Sequence, residues 1–170
     1  MREILLVDGY NIIGDWPELK LLKKNDLEGA RDLLVEKMAE YQAYSGMEVI
    51  IIFDAHMVSG IGKKYKNFRL EIIYTRENET ADERIEKLVK KLKRIDTQVY
   101  VATSDFVEQS VTFGYGALRK SARELRTEMS VVEQGIKKEV KKSKKREKQT
   151  KIPISAEMAE IFEKWRRGDM

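Results

Sequence analysis

The chain has 170 residues, 36% of them charged and 42% hydrophobic, with a formal net charge of +4, which fits a soluble globular domain with an appendage. It has no cysteine and one histidine, His56, which excludes disulfides, thiolate metal sites and multi-histidine sites. A metal centre would therefore need oxygen ligands and a hard ion such as Mg²⁺ or Mn²⁺.

In chain order, Glu3–Val7 reads as a buried strand ended by Asp8-Gly9. Met1-Arg2-Glu3 leads straight into it without a signal peptide. The longest apolar runs, Ile4–Val7 and Val49–Phe53, are too short to span a bilayer, so a cytoplasmic protein with no membrane partner is expected. Trp16 precedes Pro17 in a loop and is expected to pack in the core. Leu27, Ala30, Leu34, Met38 and Tyr41 recur at helical spacing, with Asp26 as N-cap and Gly46 past the end. Glu48–Phe53 is a second strand, ended by Asp54, and Leu70–Thr75 a third. Thr80 with Glu83 forms a capping box ahead of a helical face of Ile85, Leu88, Val89, Leu92 and Ile95. Gln98–Thr103 is a fourth strand, followed by Ser104-Asp105, a short helix to Phe113, and a brief edge strand at Ala117–Arg119.

Ser121 with Glu124 opens a helix whose stripe runs Ala122, Leu125, Met129, Val132, Ile136 and Val140. Beyond Val140 only polar residues follow. Pro153 breaks the pattern, and Ser155 caps a last helix with Met158, Ile161, Phe162 and Trp165 on its face. Alternating strands and helices predict an α/β fold, a mostly parallel central sheet flanked by helices on both faces. The expected division is 1–136 as the main domain and 137–170 as a basic helical arm and C-terminal helix.

Asp8, Asp54 and Asp105 each close a strand, and Asp82 lies in the first turn of the helix after the third. In a parallel sheet all four fall on the carboxyl edge, where open α/β folds bind their ligands. Carboxylates gathered there repel one another, and a divalent cation removes that conflict while activating water and stabilising charge on a phosphate. Singly, each is also explained as a turn residue, a cap or a helix-dipole partner.

Val7-Asp8-Gly9-Tyr10-Asn11-Ile12-Ile13 resembles the opening motif of NYN domains, a branch of the PIN-like nuclease superfamily. Phe53-Asp54-Ala55, Glu79-Thr80-Ala81-Asp82, Ala102-Thr103-Ser104-Asp105 and Gly116–Leu125 are similar to the YacP-like subgroup, described as ribosome-associated endoribonucleases of Gram-positive bacteria. The resemblance implies a PIN-like fold and metal-dependent cleavage of mRNA, by in-line attack of water leaving 5′-phosphate and 3′-hydroxyl ends. It implies Asp8, Asp82 and Asp105 as catalytic metal ligands or water-orienting groups, with Asp54 at a less constant acidic position. Asn11 would hold Asp8 or a phosphate, or shape the turn after the first strand. Ser104 would contact a phosphate, support Asp105 or cap the next helix.

Three surfaces are suited to RNA. Lys63, Lys64, Tyr65, Lys66 and Arg69 mix cations with aromatics in the loop after Asp54. Arg119 stands beside Phe113-Gly114-Tyr115-Gly116 and could clamp a phosphate. Residues 137 to 151 carry nine Lys or Arg against two Glu, a net of +7 that leaves the rest of the chain at −3. This arm, including Lys141, Lys142, Lys144, Lys145 and Arg146, is suited to ribosomal RNA through counterion release. The bland readings are a solvated loop, a surface ion pair and a solvated helix.

Other readings fit less well. An aspartyl phosphatase wants a second Asp two residues after the first, where Tyr10 stands, and Gly9 and Gly14 lack dinucleotide-binding spacing. A PIN-like module that binds RNA or the ribosome without cutting is the alternative to an active endoribonuclease. A lone histidine disfavours metal-free cleavage by a histidine pair.

Overall fold

A computed structural model describes residues 1–55, 69–150 and 166, with backbone only at 106, 107 and 146–150. The loop cations Lys63, Lys64 and Lys66, with Tyr65, the side chain of Arg146, and the Pro153 to Trp165 segment lie outside the described residues. So does His56. The chain forms two compact units, Met1–Val132 and Glu133–Met170.

The first unit is built on five strands, β1 (Arg2–Asp8), β2 (Glu48–Phe53), β3 (Glu71–Tyr74), β4 (Thr97–Ala102) and β5 (Leu118–Lys120), ordered β3-β2-β1-β4-β5. Every pairing is parallel. Ile4–Val7 are fully buried because β1 is the central strand, covered on both faces, which explains its unbroken apolar run. Ile4, Leu6, Ile50, Ile52, Val99 and Val101 form one core with Ala81, Ile85, Leu88 and Val89 of helix α4 (Ala81–Leu92). Alternation turns Leu5, Val7, Val49 and Ile51 to the other layer, where α1 (Gly9–Asp15) and α3 (Leu27–Ser45) contact the sheet. Each fully buried aliphatic side chain contributes on the order of 1.5–3 kcal/mol to holding the layers together.

The expected caps form. Asp26 accepts from the Gly29 N–H at 2.8 Å, Thr80 from Glu83 at 3.2 Å, and Ser121 from Glu124 at 3.0 Å. Gly46 ends α3 in the left-handed conformation, φ 77°. Helix α5 (Phe106–Gly114) follows β4, and α6 (Ala122–Thr150) begins with Ala122, Leu125, Met129 and Val132 buried.

Two stretches differ from the sequence expectation. The segment read as a loop after β1 is helical, as α1 and α2 (Pro17–Lys23), because Ile12, Ile13 and Leu19 are buried and Pro17 sits at a helix start. Trp16, between them, is core as expected, and its Nε1 donates to the Ala122 carbonyl at 2.8 Å. Ile95 is not on the buried face of α4. Lys93 leaves helical geometry, and Ile95 is fully exposed in the turn into β4.

The chain steps outward from β1 to β2 to β3, then returns to β4 and β5 on the other side. The sheet order therefore reverses between β1 and β4, which opens a crevice at their carboxyl ends. Entry into that crevice is tight. The backbone of Gly9 passes so close to Phe53 that an added Cβ would lie 2.4 Å from Cε1. Gly9→Ala is therefore expected to cost about 1–3 kcal/mol and lower Tm by several degrees in thermal unfolding. An unchanged Tm would contradict this packing.

Candidate metal centre

Three carboxylates converge on the crevice. Asp8 ends β1, Asp82 stands in the first turn of α4 and Glu108 in the first turn of α5. One oxygen from each lies within 4.8 Å of the others. Asp8 and Glu108 are buried and Asp82 is exposed, so the cluster has a sealed floor and one open side.

Its floor is Thr103, fully buried in the turn after β4. The Thr103 hydroxyl lies 3.4 Å from Asp8 Oδ2 and 3.2 Å from Glu108 Oε2, so its single proton can serve one carboxylate at a time. It also accepts from the Asp105 N–H at 3.1 Å. Gln109 donates from Nε2 to the Thr103 carbonyl, locking the turn. Glu108 Oε1 is buried and has no hydrogen-bond partner among the described residues.

Burial, with the Asp82 charge adding to it, pushes the Asp8 carboxyl up to about 6 against hydrogen bonds from Glu108, the Asn11 main chain and Thr103. Burial again, then the charge of Asp8, raises Glu108 further, to about 10. The site offers three carboxylates, one with a buried oxygen that has no hydrogen-bond partner among the described residues. Oxygen donors of this kind fit a hard divalent ion.

The expected residues divide into several groups. Asp8 and Asp82 meet in the cluster. Asp105 is exposed and caps α5, accepting from the Glu108 N–H at 3.2 Å. Asp54 is half-buried just past β2. Both stand outside the group of three. Asn11 Oδ1 accepts from the Ser104 N–H at 2.8 Å and Oγ at 2.9 Å, which ties α1 to the turn carrying Thr103. Arg69 and Arg119 are exposed, and Arg119 borders a hollow with Gln109, Ser110 and Phe113. In the second unit Lys141, Lys142, Lys144 and Lys145 are exposed on α6.

Glu108 is the member of the cluster that the sequence pattern does not single out. It stands three residues after Asp105, where an acid reads as a capping partner, yet like Asp82 on α4 it lies in the first turn of its helix. Thr103, an uncharged residue inside a strand-end run, carries no comparable signal.

The family model described as a YacP-like NYN domain matches residues 5–167. The chain is 58% identical over 168 residues to "Uncharacterized protein YacP" of Bacillus subtilis (strain 168), covering 99% of both. It superposes on a crystal structure of Rae1 (YacP) from Bacillus subtilis with a TM-score of 0.79 at 58% identity, covering 98% of this chain and 95% of that one. A tryptophan-to-leucine mutant of Rae1 (YacP) gives a TM-score of 0.74 at 54% identity, covering 98% and 96%.

The raised carboxyls have a consequence for stability. A group whose folded pKa lies above its unfolded value favours folding at low pH and loses that contribution as pH rises through the folded value. Without divalent ions, Tm should therefore fall from pH ~4 upward, Asp8 contributing up to about pH 6 and Glu108 from about pH 4.5 across the range up to about pH 10. Asp8→Asn, permanently neutral, should flatten that fall. Mg²⁺ or Mn²⁺ should raise the Tm of the parent, more at the higher pH because ligands bind deprotonated, and should do so far less in Asp8→Asn. Equal pH profiles for parent and variant would contradict the cluster's electrostatics.

Proposed function

Because this chain belongs to the YacP-like NYN domain family, a nuclease-type domain of PIN-like fold, we propose that it is a metal-dependent endoribonuclease that cuts mRNA in association with the translating ribosome. The observation that carries the reading is the meeting of Asp8, Asp82 and Glu108 from three separate elements in one crevice.

In this proposal Asp8, Asp82 and Glu108 hold the ion. Such an ion, Mg²⁺ or Mn²⁺, supplies a Lewis acid that activates water and offsets charge building on a phosphodiester. The chain's own groups hold the geometry. Thr103 stands between the two buried carboxylates and donates its one proton to either, and the Asn11 main chain donates to Asp8. The Asn11–Ser104 contact joins the start of α1 to the turn after β4 at the crevice mouth. Asp105, exposed at the start of α5, orients the attacking water. Arg119, Arg69 and the cations of residues 63–66 guide the strand.

The basic arm gives the ribosomal partner its chemistry. Lys137, Lys138, Lys141, Lys142, Lys144 and Lys145 line α6, all exposed, and none is ion-paired among the described residues. A stripe of solvated cations on a helix lowers its free energy against a polyanion by releasing condensed counterions. No helix among the described residues is long and apolar enough to cross a membrane.

Cleavage of mRNA on translating ribosomes should fall by roughly 100-fold or more in Asp8→Asn, Asp82→Asn and Glu108→Gln. Chelation of divalent ions should reproduce that loss. Parent-like cutting by all three variants would leave an RNA-binding module without this active site. Deleting residues 141 to 148 should weaken co-sedimentation with ribosomes, with a shallower dependence on salt. Unchanged sedimentation across a salt series would assign the arm to solvation alone.

A further inference from the structure

Helices α4 and α5 touch and run from the same place to the same place. Both begin at the acidic cluster, with Asp82 in the first turn of one and Glu108 in the first turn of the other. Both end at a feature of opposite charge. Lys90 is in the last turn of α4, Lys93 is its C-cap, and Tyr115 follows α5 directly. With Arg94 and Ile95 these residues line a groove of about 460 Å³.

The groove is built rather than incidental. Lys90 Nζ sits 4.3 Å from the centroid of the Tyr115 ring. Lys93 Nζ donates to the Gly116 carbonyl at 2.9 Å and holds the turn that carries Tyr115. That turn uses a left-handed Gly116, φ 90°. None of Lys90, Lys93 and Arg94 is ion-paired among the described residues. Complementing the helix dipole accounts for Lys90 but not for Arg94, which lies beyond the helix. Nor does it account for the apolar exposure beside the cations, where Ile95 is fully exposed and Tyr115 is 43% exposed.

Cations for phosphates and an exposed ring for a base are the two components of a surface that holds unpaired nucleotides. We propose that this groove holds the single-stranded continuation of the RNA whose scissile phosphate lies at the acidic cluster. Lys93 and Arg94 meet its phosphates, and Tyr115 with Ile95 meets a base. Lys90 is eight residues along α4 from Asp82, about 12 Å at the helical rise, and Lys93 about 16 Å, so the strand spans the two sites in a few nucleotides. The inference rests on the nuclease reading above, but its test does not require cutting.

The test is fluorescence anisotropy of a labelled oligouridylate with the full chain carrying Asp82→Asn, in EDTA. Adding Arg94→Glu should weaken binding about tenfold or more. It should also make the slope of log affinity against log salt shallower by about 0.7 for each phosphate that is no longer neutralised. Tyr115→Ala should weaken binding about tenfold and Tyr115→Phe should restore it, since stacking needs the ring and not the hydroxyl. A duplex of the same length should be indifferent to Tyr115. Circular dichroism confirms that each variant is folded. Unchanged affinity and salt slope in a folded Arg94→Glu variant, or indifference of the single strand to Tyr115→Ala, would overturn the proposal. So would equal competition by oligoglutamate. An inactive acidic cluster would leave the binding result unaffected, and failure of groove binding would leave the metal centre standing.

Discussion

The burial of two carboxyl groups beside a third is the constraint around which this molecule is arranged. Asp8, Asp82 and Glu108 come from a strand end and two helix starts, and folding brings them within 4.8 Å. Two of them are buried, which disfavours their charged forms. A fold that only needed stability would fill this position with apolar side chains, as it does one residue earlier at Val7. The cluster persists because the layers around it hold it in place. The central strand is packed on both faces, and the floor is fixed by Thr103, itself tied down by Gln109 and Lys120 through the main chain.

The topology explains why the cluster sits where it does. With β1 central and the sheet order reversing between β1 and β4, the main chain diverges at their carboxyl ends. The first residues after those strands therefore face a crevice instead of a neighbouring connection. Gly9 lets α1 start with no loop, which keeps Asn11 close enough to bond Ser104 across the crevice. The helices that carry Asp82 and Glu108 both point their N-termini at the site, and such termini favour negative charge. Their C-termini meet at the cation-lined groove, so one helix pair links two surfaces of opposite charge.

Much of this is legible from residue order alone. Unbroken apolar runs in β1 and β2 mark a parallel sheet, and Asp26, Thr80 and Ser121 mark helix starts that form as caps. Asp8 and Asp82 are legible because strand ends and first helical turns are positions defined by local pattern. Glu108 is not, since an acid three residues after a capping Asp has a sufficient local explanation, and only tertiary packing turns its side chain towards Asp8. The helices α1 and α2 escape notice because each is seven residues long, too short to show periodicity. Ile95 departs from expectation because periodicity continues through a sequence after the helix has ended. The groove at Tyr115 joins residues from two segments whose proximity depends on α4 packing against α5, which no single stretch encodes.

The account stands or falls on whether the carboxylate cluster is a cation site. Crystals grown without divalent ions and soaked in Mn²⁺ would be measured for anomalous scattering. The account predicts a peak bounded by the carboxylates of Asp8, Asp82 and Glu108, absent from crystals of Asp8→Asn. A map with no peak there at saturating Mn²⁺, with the three side chains unmoved, would contradict it.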